Sequence, residues 1–232
     1  MNTLNKLLDI VNTAKIVDMT HSLEEGIPHW PTQAGVTFEY GFKYKEDGSY
    51  WRNIHFCEHS GTHIDALSHF VEGAENVDEI PINKLMGRGV NIDVTHIPAG
   101  DVTSVNDVKE FEKKYGEIQE GDIVFFRFGW DDKWATGEKG KDFMENWPGT
   151  SQETAEYLLS KKVSAVGTDA SALDAAGTPN PSHKVLLGNG INIIENVNNL
   201  AVLPPFFGVI GLPCKFKGGS GSTMRLIALI DK

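Results

Sequence analysis

The stretch "HSGTHIDALSHF", residues 59–70, sets three of the chain's eight histidines and an aspartate within eleven positions. Imidazole and carboxylate are the side chains that ligate borderline divalent cations, so the residue types alone raise a metal site. Their spacing says which backbone could gather them. On a helix His59 and His63 share a face, as do Asp65 and His69, but the two pairs stand about 200° apart. Gly61 also weakens a helix there. In an extended chain every second side chain points the same way, and His59, His63, Asp65 and His69 all fall on odd positions. The opposite side carries Ser60, Thr62, Ile64, Ala66, Ser68 and Phe70, which are small or apolar and suit a core. Gly61 leaves room beside the imidazoles and marks where such a strand would bend. The pattern predicts one strand face, from His59 to His69, that presents metal ligands.

Ordinary roles compete with this reading. A lone histidine is usually a surface residue or a hydrogen-bonded core residue, and His21, His29, His55 and His96 are read that way. A His-rich tract in a flexible tail can bind metal adventitiously, but this one is internal and lies between WRNIHFC and HFV. Cys57 shares the odd parity and could add a thiolate, although a free cysteine more often packs as a small hydrophobe. Ligands from a single strand seldom complete a coordination shell, so distant groups should join. His183 and Glu195 stand twelve residues apart beside the apolar segments KVLLG and INII. An unpaired carboxylate at Glu195 would be costly to bury; a cation, a salt bridge or partial exposure would each relieve that cost.

The elements that must position these groups follow from periodicity and turn chemistry. NTLNKLLDIVNTA reads as a short amphipathic helix with Leu4, Leu7, Leu8 and Val11 on one side, and KIVDM as a strand. VTFEY and WRNIHFC are strands by β-branched and aromatic content, the second running into the histidine segment. GVNIDVT is a buried strand. SVNDVKEFEKKYG is a helix with Ser104 as N-cap and Gly116 as its stop. DIVFFRFGW is a near-continuous apolar strand of the kind covered on both faces. After it comes a long polar loop, DDKWATGEKGKDFMENWPG, of the kind that often forms a lid. TSQETAEYLLSKK is a helix capped near Ser151, and SAVGTDA a strand. SHKVLLGNG is a short helix stopped near Gly188, and INIIENV a strand. FFGVIGL and MRLIALI are two closing strands around KGGSGS, which lacks the GK[ST] ending of a phosphate loop and reads as a hairpin or crossing turn. This order, with no repeat and no linker, predicts a single α/β or α+β domain over residues 1–232.

Composition narrows the partners. The chain has 232 residues and a net charge of −11, from 21 basic and 32 acidic side chains. An acidic balance argues against nucleic acid, whose phosphates call for a basic patch. The apolar stretch AVLPPFFGVIGLPC is too short and too rich in proline to span a membrane. The first residues lack the uninterrupted apolar core of a signal peptide. Two cysteines do not make a disulfide framework, so a reducing compartment, the cytoplasm, is expected.

HSGTHIDALSH resembles the His-x-Gly-Thr-His-x-Asp-x-x-x-His signature of the cyclase family of metal-dependent hydrolases, which includes bacterial kynurenine formamidases and isatin hydrolases. GIPHWP, FRFGWDDKW, GTDASALD, SHKVLLGNGINIIENV and GGSGSTMR resemble further blocks of the same family, so the likeness spans nearly the whole chain. It implies a β-rich α/β fold of the swivelling β/β/α type, assembled as a homodimer or homotetramer. It also implies one or two Zn²⁺ or Mn²⁺ ions on His59, His63, Asp65, His183 and Glu195, with His69 as acid/base. Two positions depart from the pattern: Leu67 stands where the family has proline, and Thr223 where it has the proline of Ser-Pro-x-Arg.

The implied activity is metal-assisted hydrolysis of an amide in a small-molecule substrate, an aryl formamide or a cyclic amide such as isatin. Trp30, Phe70 and Trp130 are candidates for walls around a flat substrate, with core packing the simpler reading for Phe70. Competing functions are a lactone or cyclic-imide hydrolase, a ring-closing cyclase of the polyketide type, and a non-catalytic metal-binding protein. A sensor or store would need the ligands but not His69.

Overall fold

Strand alternation divides the apolar residues of this chain between the two sides of one closed sheet. The structure, a computed structural model, describes residues 2–232. Its helices are α1 (Thr3–Thr13), α2 (Tyr44–Asp47), α3 (Val105–Tyr115), α4 (Gln152–Ser160) and α5 (Pro181–Leu187). The first five strands are β1 (Lys15–Asp18), β2 (Thr37–Tyr40), β3 (Arg52–His55), β4 (His63–Asp65) and β5 (Met86–Asp93). They are followed by β6 (Ile123–Arg127), β7 (Ala165–Thr168), β8 (Asn192–Glu195), β9 (Phe206–Pro213) and β10 (Gly221–Ile230).

The sheet runs β1-β10-β4-β8-β7-β6-β5-β9, and β9 pairs again with β10. That last pairing closes a ring, with β1 attached outside it. The parallel pairs β5–β6, β6–β7 and β7–β8 are joined through α3, α4 and α5, as parallel neighbours require crossover connections. The remaining strands of the ring are antiparallel.

Alternate residues on these strands feed two clusters. Ile123, Phe125, Ile194, Phe207 and Leu226 belong to one, which fills the ring. Val124, Phe126, Val166 and Ile193 belong to the other, together with Val108 of α3, Leu158 of α4 and Leu186 of α5. Strand β6 is therefore buried on both faces, as its unbroken apolar run predicts. Phe125 and Phe126, both fully buried, are each worth about 2–3 kcal/mol of burial. The expected caps form as well: Ser104 and Asp107 make a capping box on α3, and the Ser151 side chain accepts from Thr154 N–H on α4.

Three expectations change. The ligand segment is not one strand, since only His63–Asp65 is extended within it. His59 lies in a turn, and Leu67–His69 form a 3₁₀ turn. Gly61, at φ 63°, redirects the backbone before β4, and after Ala66 local bonds such as His69 N–H to Ala66 C=O replace the ladder. The long polar loop after β6 is organised as two 3₁₀ segments, Trp130–Lys133 and Gly137–Met144, and these pack Phe143 into the outer cluster. Helix α1 forms where its pattern predicts, but Leu4, Leu7, Leu8 and Val11 are exposed and it buries no residue.

Candidate metal centre

Register places the first two carboxylates and an imidazole together. His63 of β4 lies directly opposite Glu195 of β8, and directly opposed residues of an antiparallel pair share a face. Asp65, two residues along, points the same way, while Ile64 between them enters the ring cluster. Helix α5 brings in His183, the turn before β4 brings in His59, and the 3₁₀ turn after it brings in His69.

Asp65 is the hub of this cluster. Its Oδ1 lies 2.8 Å from His59 Nδ1 and 3.4 Å from His63 Nε2, and its Oδ2 lies 3.5 Å from His183 Nε2. Glu195 closes the other side, 3.6 Å from His63 Nε2 and 3.2 Å from His183 Nε2. The His69 ring packs 4.2 Å from that of His59, centroid to centroid. Two trios, His59–Asp65–His69 and His63–Asp65–Glu195, each offer ligand atoms within 4.8 Å of one another. Asp65 Oδ2 is buried and has no hydrogen-bond partner. A desolvated carboxylate oxygen facing imidazole nitrogens with nothing bonded to it costs free energy that a cation would offset. The donor set fits a divalent metal.

Each ligand is itself held from behind. His63 Nδ1–H donates to Gly61 C=O at 2.8 Å, which turns Nε2 toward the carboxylates. Gly61 is required there, because a Cβ would lie 2.8 Å from Leu23 Cδ2 and the residue's φ is 63°. His183 Nδ1–H donates to Asp174 Oδ2 at 2.6 Å. Asp174 also accepts the N–H groups of Ser182 and His183, so one carboxylate caps α5 and fixes its histidine. Glu195 Oε1 accepts Leu173 N–H at 2.8 Å. Sequence reasoning missed Asp174 as the partner that holds His183. Asn180, not Asp174, occupies the N-cap position of α5, so no local signal marks the aspartate, and only the fold shows that its carboxylate reaches the imidazole of His183.

The electrostatics follow from this packing. Burial alone would raise the Asp65 pKa, but the neighbouring imidazoles of His183, His59 and His63 hold it well below the usual carboxylate range. Burial would lower His183, yet Asp174, Asp65 and Glu195 raise it well above an ordinary imidazole. His63 is raised in the same way, mainly by Asp65 against the effect of burial. His69, farther from the carboxylates, is lowered, with desolvation as the main cause. The cluster thus holds Asp65 and Asp174 as carboxylates against two imidazoles of raised basicity, with one less basic imidazole, His69, at its mouth.

Above the cluster opens a cavity of about 430 Å³ whose lining includes Trp30, Gln33, Phe70, Met144 and Asn180. Trp30 and Phe70 thus stand where a substrate wall was expected. Trp130 does not join them: it is buried in the outer cluster and its indole N–H donates to Phe143 C=O. A large ring with a satisfied polar atom is core material. Cys57 is half-buried and free, and it belongs to neither ligand trio.

A ringed α/β sheet with a buried His/carboxylate cradle on its outer face and an open cavity above defines a metal-binding enzyme scaffold. The chain belongs to the Cyclase family, whose model, described as "Putative cyclase", matches residues 17–175. Isatin hydrolase of Roseibium aggregatum is 30% identical over 210 residues, covering 82% of this chain and 79% of that one. Kynurenine formamidase of Bacillus thuringiensis is 25% identical over 219 residues, covering 94% and 98%. Among solved structures, isatin hydrolase A from Labrenzia aggregata bound to benzyl benzoate superposes with a TM-score of 0.89 at 28% identity over the whole of both chains. An isatin hydrolase bound to the product analogue thioisatinate gives 0.89 at 26%, again over both whole chains.

Proposed function

We propose that this protein is a metal-dependent hydrolase that opens an amide C–N bond in an aryl formamide, such as N-formylkynurenine, or in a cyclic amide such as isatin. The observation that carries the reading is the orphaned, buried Asp65 Oδ2 among imidazole nitrogens, beneath a cavity that His69 also lines. The likeness to isatin hydrolase and kynurenine formamidase supports the bond type. His59, His63, Asp65, His183 and Glu195 would hold one or two ions of zinc or manganese, since nitrogen and oxygen donors suit both. When bound, the cation supplies positive charge for a developing oxyanion and a water acidic enough to lose its proton near neutral pH.

The chain's own groups account for the rest. His69 lies beside the cluster and, with its lowered pKa, can take a proton from the attacking water and return it to the leaving nitrogen. The C–N bond breaks as the carbonyl carbon gains the water oxygen, giving a carboxylate and an amine. Trp30 and Phe70 supply apolar walls for a flat ring, and Asp174 keeps His183 Nε2 turned inward. We also propose that residues 1–232 form a single domain working in the cytoplasm as a homodimer or homotetramer. Among the described residues no helix is long and apolar enough to cross a membrane.

Zinc- or manganese-loaded protein should be assayed with isatin, N-formylkynurenine, simple lactones and cyclic imides. We expect turnover of isatin or N-formylkynurenine that a chelator abolishes and added metal restores. Turnover of lactones alone, or amide turnover that survives complete metal removal, would overturn the proposal.

A further inference from the structure

The glycine-rich segment between β9 and β10, which local sequence pattern marks as a turn, lies against the one ligand histidine whose ring is oriented differently from His63 and His183. His63 and His183 use Nδ1–H to hold themselves in place and turn Nε2 to the carboxylates. His59 does the reverse: its Nδ1 faces Asp65 Oδ1 at 2.8 Å, and its Nε2 lies 3.0 Å from Ser220 Oγ. Ser220 Oγ is in turn 2.5 Å from Glu58 Oε1, which also accepts Ser220 N–H at 3.1 Å.

These distances fix the direction of the protons. A carboxylate only accepts, so the short contact to Glu58 uses the Ser220 hydroxyl proton. Ser220 Oγ is then left to accept, and the proton it accepts is the one on His59 Nε2. The remaining ring nitrogen, Nδ1, is turned to Asp65 Oδ1 at 2.8 Å. That position calls for positive charge between the two atoms, a second ring proton in the metal-free protein or a cation in the loaded one.

The two glycines flanking Ser220 make this arrangement possible. A Cβ on Gly221 would lie 2.5 Å from His59 Cε1 and 2.8 Å from Nδ1, and one on Gly219 would lie 2.9 Å from Glu58 Oε2. Gly221 is also the β10 residue directly opposite Asp65. The segment is pinned at both ends of the site, with Ser220 C=O accepting Ala66 N–H and Gly219 C=O accepting Val77 N–H.

We propose that Gly219-Ser220-Gly221 and Glu58 form a cradle that positions His59 to bind the cation through Nδ1, in contrast to Nε2 ligation by His63 and His183. Glu58 and Ser220 are positioning residues acting through His59. The inference rests on the metal reading above and adds which atom binds and what holds it.

Two measurements test it, neither of which needs substrate. In the zinc-loaded wild type, long-range ¹H–¹⁵N spectra of the imidazoles should show His59 protonated on Nε2 and ligated at Nδ1, and the opposite tautomer at His63 and His183. A His59 ring protonated on Nδ1 would overturn the proposal. In chelator competition, Ser220→Ala and Glu58→Ala should each bind zinc about 10–100-fold more weakly than the wild type, the usual loss when a ligand's outer partner is removed. Ser220→Thr keeps the hydroxyl and should recover most of that loss, which a purely structural defect would not allow. Wild-type binding with both alanine variants unchanged would sink the cradle and leave the metal reading standing. A wild type that binds no zinc would sink both.

Discussion

Removing the imidazole of His69 should separate catalysis from metal binding. His69 contacts His59 and Phe70 and lines the cavity, while the buried trio of His63, Asp65 and Glu195 is complete without it. We expect His69→Ala to lower kcat by about 10²–10⁴, the usual span for a general acid/base, with metal content at the wild-type level. Loss of the metal along with the activity would make His69 a ligand instead. A second residue reports on acid stability. His21 stacks on Trp134 with ring centroids 4.1 Å apart, its Nε2 is buried without a hydrogen-bond partner, and burial pushes its pKa down to about 4. The unfolded chain binds that proton near pH 6.5, so the folded state has its full stability above 6.5 and loses it as the pH falls toward 4. At pH 5 the loss is about 2 kcal/mol by linkage. His21→Phe should keep the stacking and flatten this acid limb, read as the urea midpoint at pH 7 and pH 5; equal acid sensitivity in both proteins would refute it. At this scale the sequence is a partial guide. Parity identifies His63 and Asp65 as neighbours on one face, because both lie in β4. It has no means of showing Asp174, Ser220 or Glu58 behind the histidines, since those contacts arise only when separate segments meet.

Gly61 links the ligands to the elements that carry them. Its φ of 63° turns the chain from the His59 turn into β4, and its carbonyl accepts from both His63 Nδ1–H and Asn196 Nδ2–H. Gly61→Ala should cost about 1–2 kcal/mol for the left-handed conformation alone and should also displace Leu23. We expect a lower urea midpoint together with weaker metal binding, because the His63 ring loses its anchor. A variant with reduced stability and unchanged metal affinity would show that His63 is held by its carboxylate partners instead. Elements with strong local signals appear where the sequence predicts them. Helix α3 lies between its Ser104 cap and Gly116, β6 is buried on both faces, and β9 and β10 pair across the glycine-rich turn. The histidine segment is read as too long a strand because alternation was extended through Gly61 and past Ala66, where 3₁₀ bonding takes over. Trp130 follows the same logic: its type suggests a pocket wall, and only packing shows that its ring and N–H are already satisfied.

The place of β4 between β10 and β8 in the ring brings distant segments of the chain to one site: Gly221 on β10 lies opposite Asp65, and Glu195 on β8 lies opposite His63. Strand order of this kind is not written in any local pattern, so the fold class is legible from the sequence while the closure is not. A cation shared among such distant segments should stabilise the whole molecule by binding only the folded form. At a free metal concentration 100 times the Kd the gain is about 2.7 kcal/mol, which for a chain of this size is a rise of several degrees in Tm. Scanning calorimetry of metal-free and zinc-loaded protein measures it, and identical midpoints would contradict linkage between metal and fold. The most direct test of the central claim is metal stoichiometry after reconstitution and dialysis, determined by elemental analysis for the wild type and for Asp65→Ala side by side. We predict one or two zinc or manganese ions per wild-type chain and none in Asp65→Ala, whose hub carboxylate is gone. No metal in the wild type, or equal metal in both proteins, would contradict a cation centred on Asp65.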